Sequence, residues 1–127
     1  MIERAIVEAV LTFRSVSEGG RVIPPGVLTG LQYRPHIVIG DPAQKEAIVG
    51  TDRVVAEEYL GVAFASGPTP VPIGEEIQVH MMLIYWPDFD YRKVLPGATF
   101  TLREGARIVG HGRITKRWSE EWEPAGS

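Results

Sequence analysis

The segment at residues 99–116, TFTLREGARIVGHGRITK, constrains the fold of this chain more than any other stretch. Apolar and polar residues alternate on both sides of Glu104-Gly105, as in two antiparallel strands joined by a two-residue turn. If Phe100 points inward, the alternation places Arg103 and Val109 on the opposite, outer face. The segment therefore predicts a β-hairpin with an apolar inner face and a basic outer face.

The outer face of this hairpin is predicted to carry a stripe of basic side chains and threonines. Its candidate contacts for a partner or for RNA are Arg103, Arg107, His111 and Arg113. Such a stripe can bind phosphates, but threonine and arginine also suit a sheet face that meets only solvent. On the inner face, Gly110 and Gly112 indicate a strand that bends or packs against a nearby backbone.

The rest of the chain is divided into short segments by 14 glycines and 10 prolines, a spacing typical of all-β proteins. Alternation predicts strands over residues 4–14, 37–39, 54–64 and 77–85, and no long amphipathic helix is found. We therefore expect an all-β sandwich or barrel. A single domain is predicted over residues 1–118, with a polar tail at residues 119–127.

Composition limits the classes of protein to which the chain can belong. Its 127 residues suit one domain with a core of its own. There is no cysteine, which agrees with a cytoplasmic location, and the charges of Glu3, Arg4 and Glu8 argue against a signal peptide. No apolar run is long enough to span a bilayer as a helix. The net charge of −3 does not favour a dedicated nucleic-acid binder.

Four motifs in a fixed order resemble a known family. EGGR at residues 18–21, YRPHIVI at 33–39, PIGEEIQV at 72–79 and the closing hairpin together look like the C-terminal β-barrel domain, domain 3, of translation elongation factor Tu. The resemblance covers most of the chain, from about Ile2 to about Arg117. It implies a six-stranded antiparallel β-barrel.

The resemblance also implies functions for particular residues. In the elongation factor this domain helps to grip the T stem of aminoacyl-tRNA and packs against the GTPase domain. By motif matching, Arg21 and Arg34 would lie near the surface that faces the GTPase domain, with Arg103 and Arg107 at or near the same end. Ala106 and His111 depart from the family pattern. No G-x-x-x-x-G-K-[ST] phosphate loop occurs, so we expect no GTP binding by this chain.

The loop that follows the fourth predicted strand is rich in aromatic residues. Its candidate interface residues are Tyr85, Trp86, Phe89 and Tyr91, with Asp88 and Asp90 between them. These rings can fold back over one mouth of the barrel, or they can form a protein interface. They can also stack on bases or a small ligand, although the two aspartates would repel a phosphate backbone.

No catalytic or metal site is predicted. Adjacent acidic residues such as Glu57-Glu58 point to opposite faces of a strand, and the three histidines lack metal-ligand spacing. The sequence thus predicts a non-catalytic binding module without cofactors. A protein-interaction adaptor is favoured, with a GTPase or a second copy of this chain as partner, and a tRNA- or RNA-binding module is the alternative.

Overall fold

Six β-strands form most of the computed structural model, which describes residues 2–48 and 57–122. The strands are β1 (Ile2–Phe13), β2 (His36–Ile39), β3 (Leu60–Ser66), β4 (Glu76–Leu83), β5 (Thr99–Glu104) and β6 (Arg107–Trp122). Within the described ranges, the one helical element is a 3₁₀ turn at Val16–Glu18. The prediction of an all-β protein is confirmed.

The strands close into a ring in the order β1-β4-β3-β2-β5-β6, with β6 pairing back onto β1. All six pairings are antiparallel, as predicted for a six-stranded barrel. Closure leaves no sheet edge unpaired around the ring. Because β1 is antiparallel to β4 and β6, the loop that follows β4 lies at the barrel end where β1 begins. The residues that follow β1 lie at the opposite end.

The inner face of the barrel is filled by the alternating positions of the strands. On β1 the odd-numbered residues from Ala5 to Phe13 are all buried, and on β4 the inner residues Val79, Met81 and Leu83 pack with them. Branched and aromatic residues suit such a pleated inner surface. The alternation that predicted both strands therefore corresponds to alternating inner and outer positions of the barrel.

A second apolar cluster lies apart from this core. Ile6, Ala63 and Met82 are buried there, with Trp118 and Trp122 packed against them. β6 therefore continues to Trp122 and pairs with the beginning of β1, beyond residue 118 where we placed the end of the domain. The tryptophans hold these last residues of β6 on the barrel. Of the predicted tail, residues 123–127 lie outside the described part of the chain.

Two details of the closing hairpin differ from the predicted pattern. Glu104 pairs with Arg107, so the turn residues are Gly105 and Ala106 instead of Glu104 and Gly105. Gly105 has a φ of 59°, and a positive φ at the first turn position is typical of hairpin turns. The register shifts between Leu102 and Arg103, and Val109 turns into the core, so its predicted outward position is wrong.

The predicted third strand is shorter in the structure. β3 begins at Leu60, whereas alternation placed its start at Val54. Residues 57–59 precede β3 without joining the sheet, and residues 54–56 lie outside the described ranges. The side chains of Glu57 and Tyr59 instead accept hydrogen bonds from Arg103 on β5.

Candidate functional site

Arg103 is fully buried, so the prediction that its side chain is exposed on the basic stripe is wrong. Its side chain is 0% exposed because residues 57–59 cover the outer side of β5 at this point. The guanidinium donates to both carboxylate oxygens of Glu57, at 2.8 and 3.0 Å, and to the hydroxyls of Tyr59 and Thr101. Such a bidentate pair is a strong structural contact, and it leaves Arg103 unable to reach an external ligand.

The Arg103–Glu57 ion pair also holds the segment that follows β2. Glu57 accepts hydrogen bonds from the side-chain amide of Gln44 and from the backbone N–H of Ile48. These contacts join residues 44–48 to β5 through a single carboxylate. The hydrogen bond from Arg103, supported by those from Gln44 and Ile48, lowers the pKa of Glu57 to about 2.

The lowered pKa of Glu57 predicts a specific acid sensitivity. The ion pair stabilises the fold fully above the ordinary glutamate pKa of 4.5, and this contribution is lost as the pH falls from 4.5 towards 2. We expect Glu57→Gln to flatten the pH dependence of the free energy of unfolding over this interval, measured by urea denaturation at each pH. Asp90→Asn is the control, because its exposed pair with Arg92 is screened by water and should change the profile less. An unchanged slope in Glu57→Gln would contradict the assignment.

Arg21 and Arg34 are held by neighbours of their own chain. Arg21 donates to the carboxylate of Glu104 at 3.1 Å and lies over the ring of Tyr33, and Tyr33 donates its hydroxyl to the same carboxylate. Burial and Glu104 raise the pKa of Tyr33. Arg34 is exposed and donates to the carbonyl of Leu31. The structure thus brings Arg21 to the end of the closing hairpin, where Glu104 compensates its charge.

The remaining members of the basic stripe differ in accessibility. Arg107 and Arg113 are exposed on β6, whereas His111 is half-buried and its Nδ1 accepts a hydrogen bond from Arg14 Nε at 3.1 Å. Burial, with the adjacent charge of Arg14, lowers the pKa of His111, so its ring is neutral at pH 7. Of the predicted stripe, Arg107 and Arg113 are the exposed cationic side chains.

Tyr91 anchors the aromatic loop, which we define as residues 85–91, and does not belong to its surface. The ring of Tyr91 is buried in the barrel core, and its hydroxyl donates to the carbonyl of Gly61 on β3 at 2.7 Å. Arg117 on β6 donates to the carbonyls of Tyr91 and Val94. The prediction of Tyr91 as an interface residue is therefore wrong, and its burial explains why the loop has a defined position.

Tyr85 and Phe89 form the exposed part of the aromatic loop. Their side chains are 49% and 62% exposed, and their ring centroids lie 5.4 Å apart. The Tyr85 ring rests against Gly61, where an added Cβ would lie 2.6 Å from Tyr85 Cε2. Trp86 is half-buried and packs against the core. Tyr91 and Trp86 thus fold back onto the core, whereas Tyr85 and Phe89 face solvent.

Sequence reasoning missed Arg14, which is the most unusual charged residue of the described part of the chain. It follows β1 directly and is 5% exposed. Its Nη1 and Nη2 donate to the carbonyls of Gln44 and Pro42, each at 2.6 Å. Within the described residues it has no carboxylate within ion-pair distance. The position of Arg14 directly after a buried strand was the available signal of burial. The alternation, however, did not indicate which segment covers its side chain.

Other kinds of site find little support in residues 2–48 and 57–122. No group of three or more histidine or acidic residues there could hold a metal ion. No helix in these ranges is long and apolar enough to cross a membrane. The chain was also compared with protein-family models and with curated proteins, and nothing in either set matches it.

Proposed function

We propose that this protein is a non-catalytic binding module that recognises a protein partner through Tyr85 and Phe89 of the aromatic loop. One observation carries the proposal: two aromatic rings, in contact at an interplanar angle of 58°, are exposed on a loop that the barrel itself holds in place. Exposed aromatic side chains are the commonest energetic centres of protein interfaces. The similarity of the sequence motifs to domain 3 of elongation factor Tu, a domain that works by contact, supports the same role.

The fixed position of the loop favours tight binding. Tyr91 and Arg117 anchor it to β3 and β6, and the backbone N–H of Phe89 donates to the carbonyl of Tyr85 at 3.0 Å. Because the loop is ordered before a partner arrives, binding loses less conformational entropy. A GTPase or a second copy of this chain is the kind of partner we propose, in the cytoplasm.

RNA is the alternative ligand, and the exposure of Arg107 and Arg113 on β6 is the observation in its favour. Each phosphate contact adds affinity that falls with salt concentration. However, Arg103 is buried and Arg21 is paired with Glu104, which reduces the positive charge available on this face. The accessible groups therefore support a protein partner ahead of tRNA.

A photo-crosslinking phenylalanine analogue in place of Phe89 tests the proposal directly. We expect it to form adducts with one or a few proteins, whereas the analogue in place of Val22, which is exposed in the connection between β1 and β2, should not. Mass spectrometry identifies the protein, and sedimentation of the pure chain tests self-association. Adducts with RNA alone, no adducts, or equal adducts from both positions would contradict a protein interface at the loop.

Once the partner is identified, we expect Phe89→Ala to weaken its binding by about 2 kcal/mol, or roughly thirtyfold, because the substitution removes a central aromatic contact. The free energy of unfolding should not change, since the ring is largely exposed. Val22→Ala is the matched control and should leave the affinity unchanged. Calorimetric titration with the purified partner measures the affinity of each variant. Equal losses of affinity in Phe89→Ala and Val22→Ala would count against the loop as the interface.

A further inference from the structure

A second candidate site lies beside Arg14, at the opposite end of β1 from the residues that meet the aromatic loop. Here Arg14 at the end of β1, the 3₁₀ turn, residues 42–45 and β6 line a pocket of about 530 Å³ that is open to solvent. Pockets of this size are typical of small-molecule sites. The charged and titratable side chains that line it are Arg14, Glu18, Lys45 and His111.

The guanidinium of Arg14 is the central feature of this pocket. A buried cation is normally paired with a carboxylate, because removing a charged group from water is costly without a compensating charge. Arg14 donates three of its five N–H groups, to His111 and to the carbonyls of Gln44 and Pro42. Its charge thus lies in the pocket wall without a direct ion pair among the described residues, and burial lowers its pKa.

The other lining groups match an anionic ligand. The neutral ring of His111 accepts from Arg14 through Nδ1, so its Nε2 carries a proton and is a hydrogen-bond donor. Lys45 adds an exposed ammonium at the pocket. Glu18 opposes binding by its charge, but its carboxylate is already turned to Ser15, accepting from the backbone N–H and the hydroxyl of that residue. The balance of Arg14 and Lys45 against Glu18 is one positive charge.

We propose that this pocket binds the oxyanion group, phosphate or carboxylate, of a small organic molecule. The unused N–H groups of Arg14, the Nε2 proton of His111 and the ammonium of Lys45 are the donors that would hold the oxyanion. The volume leaves space for the organic part of the ligand beside the oxyanion. This site is independent of the aromatic loop, and its ligand is separate from the proposed protein partner.

Titration with sodium phosphate and, separately, with sodium acetate tests the site at constant ionic strength set by sodium chloride. We expect saturable shifts of the His111 ring and Arg14 Nε–H signals in NMR spectra, with a Kd of about 1 mM, as suits a ligand of few atoms. The tighter of the two probes identifies the oxyanion. Absence of saturation with both probes up to tens of millimolar would overturn the proposal.

Lys45→Ala provides the variant that does not disturb the fold, because Lys45 is exposed. We expect it to weaken the tighter probe about three- to tenfold, through loss of one charged donor. Lys116→Ala removes an exposed charge from β6, away from the pocket lining, and should leave the Kd within twofold of the unmodified protein. If both variants weakened probe binding equally, the effect would come from the net charge of the protein, and a site at Arg14 would be rejected.

Discussion

Replacing Arg103 with methionine is expected to lower the free energy of unfolding by about 3–5 kcal/mol, since breaking a buried ion pair leaves an uncompensated charge. The carboxylate of Glu57 is 7% exposed and would lose both of its hydrogen bonds from Arg103. Methionine fills a similar volume without a charge, so the loss measures the ion pair more than an empty cavity. Urea denaturation at pH 7 provides the measurement.

A double-mutant cycle separates the ion pair from other effects of the substitution. In the double variant Arg103→Met with Glu57→Gln, neither member of this ion pair is charged, and we expect the double variant to recover a large part of the stability lost in Arg103→Met. Arg113→Met, at an exposed position on β6, is the matched control and should change the free energy of unfolding by less than about 0.5 kcal/mol. A loss in Arg103→Met no larger than in this control would show that Arg103 is dispensable to the fold.

Gly112→Ala should also destabilise the barrel strongly, by about 3 kcal/mol, at the upper end of typical overpacking costs. A Cβ at this position would lie 2.1 Å from the Val10 carbonyl oxygen and 2.9 Å from Phe100 Cζ. The first contact is with backbone, which cannot move without disturbing the pairing of β1 with β6. The sequence indicated that Gly112 packs against a nearby backbone, and in the structure that backbone is β1.

Thermal unfolding of Gly112→Ala beside Gly26→Ala checks this expectation. Gly26 has no heavy atom within 4 Å of the position its Cβ would take, so its substitution should leave the melting temperature nearly unchanged. Both variants add a single methyl group, so the difference between their melting temperatures measures the effect of the close packing of Gly112 against β1. Similar melting temperatures for the two variants would contradict a close-packed glycine there.

The fold was predictable because the alternation in β1 and β4 is regular and the inner faces are strongly apolar. A barrel of short antiparallel strands follows from that pattern and from frequent glycine and proline turns. The register shift beside Arg103 was not predictable, since a bulge adds one residue without a local sequence signal. Val109 therefore turned inward against its predicted face.

The candidate site was less predictable for a different physical reason. Alternation assigns a side chain to one side of a sheet, but burial of an outer side chain depends on what the connecting segments cover. Arg103 is covered by residues 57–59, and Arg14 by residues 42–45, both far away in the sequence. The ring of Tyr91 is buried in the core, where its hydroxyl reaches the Gly61 carbonyl on β3. None of these long-range contacts leaves a local pattern in the sequence.

The pairing of β1 with β6 has a consequence for how the chain reaches its folded state. Ile2 pairs with Trp122 and Phe13 with Gly110, so the ladder that closes the ring joins the most distant parts of the described chain. Closing so long a loop is costly in entropy before any contact compensates it. The hairpin of β5 and β6 needs only a two-residue turn, and it can form long before β1 is in place. We therefore expect the pairing of β1 with β6 to form later in folding than the hairpin of β5 and β6.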